Sequence, residues 1–143
     1  MLFRFFVYGL LGLSIEIVWT AFYDKAFMSK KGWDLLGVTS MWMFPIYGIT
    51  VFLFEPIHNI IRNFSWYYRG LIYMVGIISV EFLIGYILKK INICPWDYSN
   101  VTSLNFQGLI RIDYGILWFV VGLLAEPIHD LLIKITPLIY SVF

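Results

Sequence analysis

The side chains able to do chemistry in this 143-residue sequence are four glutamates and two histidines set inside apolar runs. In chain order they read Glu16, Glu55-x-x-His58, Glu81 and Glu126-x-x-His129. Residues three apart share one helical face, so Glu55 and His58 can address one point, and so can Glu126 and His129. Four carboxylates and two imidazoles carry the charge and ligand count for two divalent cations. Helix bundles with a carboxylate-bridged metal pair use this inventory: a lone glutamate on each of two helices and a Glu-x-x-His on each of the other two. On that pattern Glu55 and Glu126 bridge a pair of iron, manganese or zinc ions. Glu16 and Glu81 are then terminal carboxylates, and His58 and His129 terminal nitrogen ligands. With iron, oxidation or oxygen chemistry becomes available.

Two other readings use the same residues. In a permease-like subunit they would line an ion or substrate path. In a purely structural protein the glutamates would hydrogen-bond to neighbouring helices and hold them together, with Glu55 and His58 drawn to the headgroups beside Arg62.

The elements that must position these residues are membrane spans. The chain is 61% hydrophobic and only 13% charged, against about 25% charged in soluble domains. Such an inventory cannot build a water-facing surface, so the lipid bilayer is the expected surrounding. A span needs roughly 20 apolar residues. The sequence offers four, at about Phe5 to Tyr23, Met41 to Ile61, Gly70 to Leu88 and Asp113 to Ile133. None alternates as the strands of a closed barrel do. The expected fold is an all-α membrane four-helix bundle forming one transmembrane domain over 1–143.

Long loops, Asp24 to Ser40 and Lys89 to Ile112, fall on one side of the membrane, and a short turn around Arg62 to Arg69 on the other. Trp33-Asp34 and Trp96-Asp97 suit loops lying on the bilayer surface. Six basic residues on the long-loop side against four on the other lean towards long loops in the cytoplasm.

The spans repeat. Ser14-Ile15-Glu16 matches Ser79-Val80-Glu81, Trp33-Asp34 matches Trp96-Asp97, and Glu55-Pro-Ile-His58 matches Glu126-Pro-Ile-His129, at offsets of 65, 63 and 71. Three matches in one order point to duplication of a helical hairpin, with repeats at about 1–65 and 66–143. Two spans per unit insert with the same orientation, so the repeats are parallel, related by an axis along the membrane normal. That axis is what gathers six scattered residues into one site. Depth is the strain in the scheme: Glu81 and Glu126 lie about eight and thirteen residues from the long-loop end, a mismatch of roughly 7 Å.

Other functions are excluded or carry no signal. A net charge of +1 has no basic patch for nucleic acid. The single cysteine, Cys94, cannot form an internal disulfide. Arg4 and the following apolar run are read as a first span, not a leader, because Glu16 interrupts it. No Walker A, dinucleotide-binding or zinc-protease pattern occurs. Pro56 and Pro127 each remove a helical hydrogen bond, freeing the carbonyls of Phe52 and Leu123. Gly9, Gly12, Gly115 and Gly122 are small enough to let helices approach closely.

Two stretches, Met41-Trp42-Met43-Phe44-Pro45-Ile46-Tyr47-Gly48 and Pro95-Trp96-Asp97-Tyr98-Ser99, resemble the CmpB-like family of small bacterial membrane proteins. That family is described as a type IV ABC-transporter component. The resemblance covers most of the chain. It implies a multispan protein of the plasma membrane that works with other membrane subunits, and it supplies no catalytic residues.

Overall fold

The computed structural model describes residues 1–27 and 37–141, the side chains of 23–27 excepted. Trp33 and Asp34 lie outside the described residues. The fold is all-α, as the apolar runs require. Helix α1 spans Leu2–Phe27, α2 Met43–Gly48, α3 Thr50–Ile61, α4 Trp66–Lys90 and α5 Gly115–Tyr140. Among the described residues, four segments are long and apolar enough to cross a membrane: Leu2–Phe22, Met43–Ile61, Trp66–Lys90 and Ile112–Tyr140. Helices α2 and α3 together make the second. The fourth runs seven residues past the expected end at Ile133, because Lys134 sits on an exposed face and does not stop the helix.

The chain divides into two compact units, Met1–Leu53 and Phe54–Phe143. In the first, α1 and α2 pack antiparallel, and glycines make room for aromatic rings. A Cβ on Gly9 would lie 2.7 Å from the Phe44 ring, and one on Gly48 would lie 2.7 Å from Phe5. Gly12 meets Tyr47 more closely still. Thr20 Oγ1 donates to the Val38 carbonyl and accepts from the Val38 amide, both at 2.9 Å. This pins the chain at residue 38 to α1.

In the second unit α4 and α5 pack antiparallel by the same device. Gly70 receives the Phe119 ring and Gly122 receives Tyr73. Pro127 and Pro137 are carried inside α5, and Pro56 inside α3, without ending either helix. The segment joining α4 to α5 is more ordered than a surface loop. It holds a two-residue hairpin, β1 (Asn105–Phe106) with β2 (Ile110–Arg111). The hairpin turns through Gln107 and Gly108 at φ of 55° and 71°. At Gly108 a Cβ would also strike the Asp97 carboxylate and the Ser99 hydroxyl, so glycine is required there twice over. Leu109 is buried beneath the hairpin, and the Trp96 ring lies over Gly85 with its Nε1 donating to the Leu109 carbonyl at 3.1 Å.

Candidate functional site

The second unit gathers a polar cluster where the C-terminal half of α3 meets the start of α4 and the middle of α5. Helix α3 contributes Glu55 and His58, and Arg62 follows at its end, spaced three and four apart and so on one face. Helix α4 contributes Arg69 and Tyr73, again four apart. Helix α5 contributes Glu126, His129 and Asp130. Glu55, His58 and His129 are buried. In an apolar span such groups persist only when each finds a partner, and the partners can be followed one by one.

Arg69 grips Glu126 with two nitrogens, Nε to Oε1 at 2.7 Å and Nη2 to Oε2 at 3.0 Å. Its remaining nitrogen donates to the carbonyls of Phe64, at 2.8 Å, and Arg62, at 3.3 Å. One guanidinium therefore neutralises an intramembrane carboxylate and also satisfies the exposed carbonyls after α3. The Tyr73 hydroxyl donates to Glu126 Oε1 at 2.9 Å. His58 Nδ1 lies 2.8 Å from that same hydroxyl and 3.6 Å from Glu126 Oε1. Across the cluster, His129 Nδ1 lies 3.6 Å from Glu55 Oε1. Arg62 reaches both Asp130 oxygens, at 2.8 and 2.7 Å.

The two imidazoles meet edge to face, with ring centroids 5.0 Å apart. Phe54 stacks parallel to His58 and covers it. His58 Nε2 is buried, makes no hydrogen bond, and faces Asp130 Oδ1 at 3.7 Å. His58, His129 and Asp130 each offer one ligand atom within 4.8 Å of the others.

Of the six residues singled out by sequence, the structure brings Glu55, His58, Glu126 and His129 into this cluster. Glu81 stands apart. It lies eight residues beyond Tyr73, about 12 Å along α4, and accepts from Trp118 Nε1 at 3.2 Å and the Tyr98 hydroxyl at 3.3 Å. The depth mismatch foreseen between Glu81 and Glu126 is thus expressed in their partners, Trp118 and Tyr98 for one, Arg69 and Tyr73 for the other. Glu16 belongs to the first unit and accepts from the Tyr47 hydroxyl at 2.8 Å.

Sequence reasoning overlooked Arg69, Tyr73 and Asp130. A signal for two of them was present. Arg4-x-x-x-Tyr8 recurs as Arg69-x-x-x-Tyr73 at an offset of 65, the same offset as the Ser-x-Glu match. Asp130 has no such counterpart, since Asn59 occupies the matching place beside His58.

The signature loop is equally well built. Asp97 Oδ1 accepts from the Ser99 amide at 2.9 Å. Bonds from Ser99, first its side chain and then its backbone, hold the Asp97 carboxyl below its ordinary range. Tyr98 N donates to the Gly108 carbonyl at 2.8 Å, which ties the Trp-Asp-Tyr-Ser stretch to the hairpin.

No solved structure matches the chain. A family model described as "Putative ABC-transporter type IV" matches residues 3–142. The four apolar segments agree with it in making this a membrane protein. The match takes in both signature stretches and every residue of the polar cluster, and the chain belongs to that family.

Proposed function

We propose that the chain is a multi-pass plasma-membrane subunit of a transport system, and that His58, His129 and Asp130 hold a divalent cation within it. The observation that carries the metal reading is His58 Nε2, buried and without a hydrogen-bond partner. Tyr73 has one hydroxyl proton and gives it to Glu126. Its oxygen must therefore accept from His58 Nδ1–H. With that hydrogen bond made by Nδ1–H, an imidazole carrying one proton presents a bare lone pair at Nε2, aimed at the Asp130 carboxylate. Two acceptors face each other at 3.7 Å, too far for a hydrogen bond and electrostatically repulsive. A cation between them reverses the sign of that interaction. His58 also backs onto an oxygen through Nδ1, the arrangement that orients a metal-ligating imidazole.

The donor set supports one ion more readily than the pair expected from sequence. Arg69 holds both oxygens of Glu126, and Glu81 is held elsewhere, by Trp118 and Tyr98, about 12 Å along α4 from Tyr73. Two imidazoles and a carboxylate suit zinc, manganese or iron. When bound, the ion would supply a fixed positive charge. Asp130 is the open side of the cluster, with 36% of its side chain exposed while His58 is 3% exposed. An ion would enter past Asp130, which supports a transport path over a sealed structural site. These 143 residues hold no Walker A pattern, so ATP-derived energy would be supplied from outside them.

Purified protein equilibrated with zinc, manganese or ferrous iron should retain one equivalent. His58→Gln, His129→Gln and Asp130→Asn should each lower that affinity at least tenfold while helicity is unchanged. Metal-free protein after equilibration, with a native circular-dichroism spectrum, would overturn the metal reading.

The duplicated hairpin belongs to the same proposal. Its support lies in how each unit packs internally. At offsets of 65 and 71, Phe5 and Gly48 of the first unit correspond to Gly70 and Phe119 of the second. The ring-on-glycine contact is kept, with ring and glycine exchanged between helices. Gly9 against Phe44 likewise corresponds to Met74 against Gly115. Tyr47 on Glu16 corresponds to Trp118 on Glu81. Ser14 bonds the Leu10 carbonyl as Ser79 bonds that of Val75.

A further inference from the structure

Glu81 is left unused by the cluster, and its surroundings differ in kind. Glu126 is matched by Arg69 and Asp130 by Arg62. Glu81, in the middle of α4, is held by two neutral donors, the Trp118 indole on one oxygen and the Tyr98 hydroxyl on the other. The charged groups nearest this end of the unit do not alter that. Arg111, on the hairpin beyond Tyr98, is bound to Asp113 through two nitrogens and donates to the Tyr114 hydroxyl at 3.0 Å. Lys89 is eight residues further along α4 and bonds the Gln107 carbonyl. An ionised carboxylate inside a bilayer without a cation is so costly that such groups neutralise instead.

We propose that Glu81 is a proton-binding site: a carboxylic acid at neutral pH that exchanges one proton with water on the loop side through Tyr98. The two partners suit both states of the group. Trp118 can only donate, so it bonds the carbonyl oxygen of the acid as well as it bonds the anion. Tyr98 can do either, donating to the anion or accepting the acid proton by a turn of its hydroxyl. Proton loss and gain therefore need no movement of heavy atoms. Burial pushes the Tyr98 phenol above its ordinary range, so its hydroxyl releases a proton to water only as it takes the one from Glu81, and stays neutral overall. Its chain neighbours Asp97 and Ser99 are exposed, which places water one residue away.

This inference does not depend on the metal reading, since Glu81 shares no hydrogen bond with the cluster and lies about 12 Å along α4 from Tyr73. It is tested by infrared titration of the full-length protein in lipid nanodiscs. At neutral pH the wild type should show a protonated carboxyl stretch that Glu81→Gln lacks, and this difference should fade as pH rises. Trp118→Phe removes a donor that favours the anion more than the acid. It should move the midpoint up by about one pH unit, the difference between a charged and a neutral hydrogen bond. If Glu81→Gln fails to fold, the wild-type and Trp118→Phe titrations still decide the matter. Identical spectra for wild type and Glu81→Gln at neutral pH, or a midpoint unmoved by Trp118→Phe, would overturn the proposal.

Discussion

At the scale of single residues, the cluster is organised by Tyr73 and Arg69. Tyr73 relays between Glu126 and His58 through one hydroxyl. Tyr73→Phe keeps the ring contact with Phe54 but frees His58 to adopt either tautomer. Metal affinity should fall about 10–100-fold, as for other lost partners of ligating histidines, with thermal stability little changed; isothermal titration checks the first and a melting curve the second. Arg69→Met should be different in kind. It strands Glu126 in the span and releases the Arg62 and Phe64 carbonyls. Removing one partner of a buried pair is costly because a bare charge remains. The Arg69 side chain is 21% exposed, so a loss of about 2 kcal/mol is expected, below the value for a sealed pair. The double variant Arg69→Met with Glu126→Gln should recover most of it in denaturant titrations. At Arg62, 55% exposed, the same substitution should cost less than about 1 kcal/mol.

At the scale of elements, glycines set how close α4 and α5 can come. Gly122 lies against the Cβ and ring of Tyr73. A methyl group there would drive Tyr73 out of the line between His58 and Glu126. Gly122→Ala should destabilise by about 1–3 kcal/mol as an overpacked contact and weaken the metal site with it. At Gly76, on helix α4, an added Cβ would meet nothing within 4 Å. Gly76→Ala should be neutral or stabilising by up to about 1 kcal/mol, since alanine is the better helix former. Parallel melting curves of the two variants separate packing from propensity. The small size of Gly9, Gly12, Gly115 and Gly122 pointed in the sequence to close helix approach, and all four meet a neighbouring side chain. What size could not reveal was the partner of each, because a ring and a glycine can trade places between helices and leave the contact intact.

At the scale of the whole molecule, α4 connects the short turn after α3 to the signature loop. Its 25 residues rise about 37 Å, enough to cross a bilayer core of roughly 30 Å. Cys94, the only cysteine, lies in that loop and serves as a native reporter. On the multi-pass reading, with long loops in the cytoplasm, a membrane-impermeant maleimide should miss Cys94 in intact cells and label it after lysis. Asn63→Cys, placed in the turn on a Cys94→Ser background, should be labelled in intact cells. Labelling of both positions from the same side would refute a spanning α4.

The sequence by itself determined the solvent, the helical class and the number of apolar segments, because these depend on composition and run length alone. It also singled out the glutamates and histidines, since a charge inside an apolar run is conspicuous in one dimension. Their sorting was decided only by the tertiary structure. Seven residues of α4 separate Tyr73 from Glu81, and that rise of about 12 Å sends one glutamate to Trp118 and Tyr98 while Glu126 goes to Arg69. Arg69 is an ordinary boundary charge in the sequence, and Asp130, inside the fourth span, has no repeat counterpart to single it out. They become part of the site because antiparallel packing of α4 on α5 brings the start of one helix beside the middle of the other. The six residues read as one candidate site thus include four that meet at the two histidines. Glu81 instead stands at its own level in the span, where its neutral donors make it a place for a proton.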